Sequence, residues 1–210
     1  TSISMLQSLS NSKSIPLVRV PWSEPGIITK MLDLGVMGII APMINTKKEC
    51  ENFVSYCQYP PLGKRSFGPL RAQMVYGSDY YEKANENIIS LAMIETKEAI
   101  ENIDDILSVP NLTGVYVGPG DMCSSYGLKP HFDVKEEPIF SNIKLIAKKA
   151  KENGKIAGIH NGSTSYAKEM IKLGYQFVTI SSDFRSMSNY SQSIIDEMKN
   201  VKKNTEEKAY

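Results

Sequence analysis

Glu95 closes the apolar run Leu91-Ala92-Met93-Ile94, and Asp121 follows the run Gly114–Val117 across the turn Gly118-Pro119-Gly120. Each is the first acid after a β-rich stretch, and one strand–helix–strand unit separates them. In a parallel sheet that spacing puts both carboxylates at one edge, the edge where α/β folds do their chemistry. Neighbouring parallel strands run about 4.8 Å apart. Two carboxylates there can converge on one ion, with metal–oxygen distances of about 2.0–2.1 Å for Mg²⁺. Neither junction carries a Cys or His beside its acid, which favours an oxygen-seeking divalent ion, Mg²⁺ or Mn²⁺, over structural zinc. Capping is the competing role for acids at such junctions. Glu95 would then cap the next helix and Asp121 the turn before Met122.

Other residues have the chemistry to join them. Gly118-Pro119-Gly120-Asp121 is a tight turn whose glycines let backbone approach a ligand and whose free N–H groups can hold an anion; its plainer reading is a simple turn. Arg19 interrupts Pro16-Leu17-Val18-Arg19-Val20-Pro21, and a charge inside an apolar strand is costly unless paired. Its guanidinium suits a carboxylate or enolate oxygen, or a structural ion pair with a buried acid. His160 ends Ile156-Ala157-Gly158-Ile159, where it is an acid/base group, a partner of another ligand or a structural histidine. Asp183 follows the last strand and would orient a neighbouring group. His131, in a loop flanked by Pro and Asp, is given no role. No phosphate-binding loop, dinucleotide fingerprint or GxSxG elbow appears.

Six short apolar runs must position these residues: Leu17–Val20, Gly38–Ala41, Leu91–Glu95, Val115–Gly118, Ile156–His160 and Phe177–Ser181. Runs without alternation suit strands buried on both faces. Helix candidates lie at Pro25–Leu34, Lys47–Cys57, Thr96–Leu107, Ile139–Asn153, Tyr166–Leu173 and Asn189–Lys199, with Gly35, Gly154 and Gly174 as stops. The alternation predicts an α/β fold with a parallel sheet. The long connection from Tyr59 to about Tyr81, rich in Gly and Pro, reads as a lid or site wall, or else as poorly ordered. A closed (β/α)₈ barrel takes about 250 residues. Six strands therefore predict either an open sheet or a TIM-type barrel without its first two β-α units.

The chain has 210 residues, enough for one core, expected over residues 1–200 with a charged tail over 201–210. Net charge is +1, which makes no electrostatic case for nucleic acid or a membrane surface. No apolar run approaches the roughly 18–20 residues of a membrane span, and the first residues lack the pattern of a signal peptide. Cys50, Cys57 and Cys123 form no CxxC pair and read as buried thiols, the first two on one helix face. A reducing cytoplasm is the simplest compartment.

Together, Pro16–Trp22 (PLVRVPW), Ala41-Pro42-Met43, Tyr59–Pro69 (YPPLGKRSFGP), Met93–Thr96 (MIET) and Gly118–Asp121 (GPGD) resemble the HpcH/HpaI aldolases, metal-dependent pyruvate aldolases of the phosphoenolpyruvate/pyruvate-barrel superfamily. The resemblance runs from about Leu6 to Met198. It implies that Glu95 and Asp121 hold a divalent metal (Mg²⁺, Mn²⁺ or Co²⁺), that Arg19 contacts the pyruvate carbonyl and stabilises the enolate, and that backbone N–H groups around Gly118, Gly120 and Asp121 cradle the pyruvate carboxylate. The implied reaction is retro-aldol cleavage of a 2-oxo acid to pyruvate plus an aldehyde, or its reverse. The partners are then small 2-oxo acids and aldehydes, with no nucleic acid or membrane. A homo-oligomer is implied as well, a dimer-based hexamer in which the C-terminal helix (Ile194, Ile195 and Met198 on one face) packs on a neighbour. The family's general-base histidine, on a loop after its second strand, has no counterpart here. Met93 stands where the family has glutamine, Gly120 where alanine is usual and Ser66 where many have glycine. Two alternatives stay open: an acyl-CoA lyase resembling the citrate lyase β subunit, with Lys64, Arg65 and Arg71 serving the CoA phosphates, and a partial barrel that binds metal and pyruvate without catalysis.

Overall fold

The computed structural model describes residues 2–10 and 12–206. After a short helix α1 (Ser2–Ser8) come β1 (Leu17–Arg19), α2 (Pro25–Asp33), β2 (Gly38–Ala41), α3 (Lys47–Cys57), α4 (Leu70–Tyr76), α5 (Tyr80–Asn87) and β3 (Ile89–Ile94). Then follow α6 (Lys97–Glu101), α7 (Ile103–Leu107), β4 (Gly114–Val117), α8 (Pro119–Ser125), α9 (Ile139–Glu152), β5 (Ile156–Asn161), α10 (Thr164–Lys172), β6 (Phe177–Ile180) and α11 (Asp183–Glu206). Among the described residues the sheet has six strands, all parallel and in sequence order β1 to β6. Helical crossovers cover one face, and the sheet curls into a half-barrel, as the sequence predicts for an open or partial TIM-type architecture.

Alternation along each strand divides the core in two. Ile39, Ala41, Ala92, Ile94, Val115, Val117, Ala157 and Ile159 face the helices and join the main core. Ile40, Leu91, Met93 and Tyr116 face inward, packed with Leu17, Ile89 and Phe177. Both faces are covered over β2 and β4, so every residue of these strands is buried and their sequences carry no polar alternation. Each fully buried Ile or Val contributes about 1.5–3 kcal/mol of hydrophobic stabilisation.

Local chemistry sets the helix ends. Thr46 opens α3 with a capping box: its hydroxyl accepts from the Glu49 N–H at 3.2 Å, and the Glu49 carboxylate accepts from the Thr46 N–H at 2.9 Å. Glu24 caps α2 by accepting from Gly26 and Ile27. Gly154 and Gly174, at φ of 64° and 105°, stop α9 and α10 as expected.

Three expectations are corrected. The helix expected over Thr96–Leu107 breaks at Asn102, which leaves helical geometry and donates its side-chain amide to Asn45 O at 2.9 Å. The Tyr59–Tyr81 connection is neither lid nor site wall. It leads from the end of α3 through α4 and α5 to the start of β3, so it lies at the amino-terminal edge of the sheet, opposite the acids. The expected tail begins inside α11, which runs to Glu206; residues 207–210 lie outside the described residues. All three cysteines are buried and free. Among the described residues, no helix is long and apolar enough to cross a membrane.

Candidate functional site

Register puts the chemistry on the inner face. Met93 pairs with Tyr116, Tyr116 with Gly158, and His160 with Thr179. Glu95 and Gly118 each lie two residues beyond a paired inner residue, at the carboxyl-terminal edge. There a Cβ on Gly118 would sit 2.2 Å from Glu95 Oε2, so only glycine leaves room for the carboxylate.

Glu95 is 1% exposed. Its Oε1 accepts a hydrogen bond from the Met43 N–H at 2.7 Å, and its Oε2 is buried with no partner among the described residues. Met43 presents that N–H from a left-handed backbone at φ 56°. Burial pushes the Glu95 carboxyl up from 4.5 to about 7; the Met43 hydrogen bond opposes the rise, the Asp121 charge adds to it, and Arg19 opposes it. Capping does not account for Glu95, because the next residue does that work: the Thr96 hydroxyl accepts from the Ala99 N–H at 3.0 Å. Nor is Asp121 a cap. It sits in the first turn of α8, exposed, and no side chain caps that helix.

Asp121 lines a cleft of about 390 Å³ with Arg19, Met93, Tyr116, Gly118, Pro119, Gly120, Pro130, Phe132 and His160. Arg19 is exposed on its inner wall and makes no salt bridge among the described residues, so the buried ion pair allowed for in the sequence is absent. The first bond within α8 is Met122 N–H to Gly118 O, which leaves the N–H groups of Gly120 and Asp121 without helical acceptors. Four of the five expected site residues thus border one cleft, and the fifth, Glu95, is packed directly behind Gly118.

His160 is half-buried on the same wall. Its Nδ1 lies 2.8 Å from Thr179 Oγ1, and that oxygen also bonds the Tyr116 hydroxyl. The Phe132 ring stands edge-on to the imidazole at 4.7 Å, with the Arg185 guanidinium 4.8 Å from the Phe132 ring centre. Tyr116 and Thr179 carry no signal in the sequence, since an aromatic or Thr in an apolar strand reads as core, and Phe132 lies in the loop between α8 and α9 with no motif around it. Asp183 accepts from the N–H of Phe184 at the start of α11 and does not line the cleft, so it is not seen to orient a site residue among the described residues. His131 does not line the cleft; its Nε2 lies 3.2 Å from Glu136 Oε2 within the same loop.

Two carboxylates and no third His, Cys, Asp or Glu ligand meet here among the described residues. That donor set, with one buried oxygen left unpaired, fits a hard divalent cation completed by water and substrate oxygens rather than a closed structural site.

The sequence profile described as HpcH/HpaI aldolase/citrate lyase matches residues 2–189. The chain is 40% identical over 191 residues to a hydroxypyruvate/pyruvate aldolase of Rhizorhabdus wittichii, covering 91% of this chain and 76% of that one. It is 32% identical over 202 residues to a 5-keto-4-deoxy-D-glucarate aldolase of Escherichia coli, covering 95% and 78%. A crystal structure of an HpcH/HpaI aldolase/citrate lyase family protein from Burkholderia cenocepacia superposes with a TM-score of 0.86 at 23% identity, over 94% of this chain and 79% of that one, which is a likeness of fold. Six parallel strands in sequence order, with the acid pair at their carboxyl-terminal edge, belong to a chain that is a member of the HpcH/HpaI aldolase/citrate lyase family.

Proposed function

We propose that this aldolase-family lyase makes and breaks a carbon–carbon bond of a 2-oxo acid through a pyruvate enolate, with a divalent cation held by Glu95 and Asp121. The observation that carries this reading is the unpaired, buried Oε2 of Glu95, set near the Asp121 charge behind a cleft that the free Arg19 also lines. A carboxylate in that state is costly without a cation. When bound, the ion supplies a Lewis acid for negative charge that develops on the 2-oxo oxygen.

The chain's own groups do the rest. Arg19, the catalytic residue, donates to the 2-oxo oxygen and stabilises the enolate as the C3–C4 bond breaks. The N–H groups of Gly120 and Asp121, with Gly118 beside them, hold the pyruvate carboxylate. Met93 offers no hydrogen bond where the family has glutamine, so orientation of the substrate falls on Arg19 and the α8 turn. The test is pyruvate methyl proton exchange in D₂O, screened with Mg²⁺, Mn²⁺ and Co²⁺, beside calorimetric titration of the same ions. Metal binding that survives both Glu95→Gln and Asp121→Asn refutes the site.

The acyl-CoA lyase reading loses its anchor. Arg65 is buried, paired with Asp33 at 2.8 Å and stacked on Tyr59, and Arg71 donates to Leu34 O, so among the described residues only Lys64 of the trio has no partner that would compete with a phosphate. All three lie at the edge of the sheet opposite the cleft.

A homo-oligomer is part of the proposal. Along α11, Phe184, Met187, Tyr190, Ile194, Ile195 and Met198 are between 46% and 70% exposed, an apolar face that its own barrel leaves uncovered. The face fits a second copy, and light scattering of the purified chain is expected to give a multiple of the 23.4 kDa monomer. Substituting Met187 and Ile194 with Ser is expected to reduce that mass. A reducing cytoplasm accords with three free, buried thiols.

A further inference from the structure

The inner wall of β4 to β6 carries a polar chain that the reaction as described leaves without a role. Tyr116 of β4 reaches Thr179 of β6 across β5, and Thr179 holds His160 Nδ1 at 2.8 Å. The reach is possible because Gly158 lies between them; a Cβ there would come within 2.7 Å of the Tyr116 ring. A threonine oxygen has two lone pairs and one hydrogen, enough to serve both neighbours. With Nδ1 donating to Thr179, the lone pair of Nε2 is left for the cleft, and Nε2 has no hydrogen-bond partner among the described residues. Phe132 fixes the ring plane from the side.

We propose that His160, oriented through Thr179 by Tyr116, is the proton-transfer group of this cleft. The inference rests on the pyruvate-enolate reading and adds the residue that moves the proton. In the cleavage direction the C4 hydroxyl proton passes to Nε2 as the C3–C4 bond breaks. The bonding pair becomes the enolate, and the C4–O bond becomes the aldehyde carbonyl. The imidazolium then returns the same proton to C3, and the enolate collapses to the 2-oxo group of pyruvate. No proton is gained or lost, and His160 ends neutral.

The surroundings suit the role. Burial holds the His160 imidazole below its usual range and Arg185 of α11 adds to this, while Asp133 in the loop before α9 opposes it. Tyr116, Arg19 of β1 and Asp121 of α8 are the other titratable or charged groups lining the cleft. At neutral pH the ring is therefore the free base that proton removal needs.

The experiment uses the full chain with Mg²⁺ and follows both pyruvate methyl exchange and cleavage of a 4-hydroxy-2-oxo acid. Asparagine at position 160 keeps a partner for Thr179 and lacks Nε2. His160→Asn is expected to lower kcat about 100-fold or more, with KM within about threefold, the scale of a lost general base. Thr179→Val removes the acceptor from Nδ1, so the acidic limb of the kcat/KM profile is expected to move to lower pH. His160→Gln serves if the asparagine variant melts well below the wild type. A His160→Asn enzyme within about threefold of wild-type kcat, or an acidic limb unmoved in Thr179→Val, overturns the proposal and leaves the aldolase reading standing. A wild-type chain that neither exchanges nor cleaves with any of the three ions overturns both.

Discussion

Glu95 makes the metal-free protein weaker as pH rises, and the size of that effect follows from its environment. Its carboxyl is pushed from 4.5 to about 7, chiefly by burial. The folded state thus holds the proton more tightly than the unfolded chain does. Any stability tied to that proton is present in full below pH 4.5 and is lost as pH rises through about 7. A rise of that size corresponds to about 3 kcal/mol. Glu95→Gln keeps the shape and an oxygen for the Met43 N–H, but it cannot ionise. The cost of burying its amide is the same at every pH, so it drops out when two pH values are compared. The stability of Glu95→Gln relative to wild type, both in chelator, is therefore expected to improve by about 3 kcal/mol between pH 4.5 and pH 8. For a chain of this length that is roughly 6–12 °C in melting temperature. Saturating Mg²⁺ at pH 8 should raise the wild type by about 2.7 kcal/mol at a hundred times its Kd and leave the variant unmoved. Urea denaturation at the two pH values, with chelator and with Mg²⁺, measures all four arms. A relative stability that stays flat to within about 0.5 kcal/mol between those pH values would refute the argument that Glu95 is a buried charge awaiting a cation.

Gly118→Ala places a methyl 2.2 Å from Glu95 Oε2 and 2.8 Å from Met93 Cε, so calorimetry should find metal binding lost and urea melts a cost of about 1–3 kcal/mol. Arg65→Ala strips Asp33 and Tyr80 of their partner and should cost about 3–5 kcal/mol, while Arg65→Lys keeps the charge without the fork and recovers only part; metal binding by the folded fraction should be unchanged in both. Burial pushes the Cys50 thiol up to about 12 and the Cys57 thiol up further, so neither should react with a thiol reagent at pH 8 until the protein unfolds, and early labelling would refute their burial.

The strands were legible because a strand covered on both faces leaves a continuous apolar run, and each of the six runs is a strand to within two residues. The acids were legible for the related reason that they end such runs. Arg19 was legible as a residue but not as an environment. An apolar strand reads as buried, yet the inner face of a half-barrel is open at this position and the guanidinium is exposed. The Tyr59–Tyr81 connection was misplaced although a signal existed. It follows a helix and precedes a strand, and in a parallel α/β unit such connections lie opposite the functional edge. Tyr116 and Thr179 could not be found this way, because their contact depends on the lateral pairing of β4, β5 and β6, which no local pattern encodes; Phe132 reaches His160 from the loop between α8 and α9, a tertiary contact without a local signal.

That pairing also explains how a curled sheet holds so many large groups on its concave side. The inner face sets glycine beside bulk. Gly118 gives way to Glu95, Gly158 to the Tyr116 ring, and Gly38 to Leu17, each at a separation where a Cβ would stand 2.2–2.7 Å from its neighbour. Neighbouring strands are only about 4.8 Å apart, so two large inward side chains at adjacent positions would collide on a concave surface. A glycine at one position lets the neighbouring side chain lean across the strand. Glu95 thereby reaches toward β4 and the charge of Asp121, and Tyr116 passes over β5 to Thr179. Both halves of the site, the acid pair and the polar chain, depend on the same device. A slip of one residue in the register of β4 would turn Tyr116 and Gly118 outward and dismantle both at once.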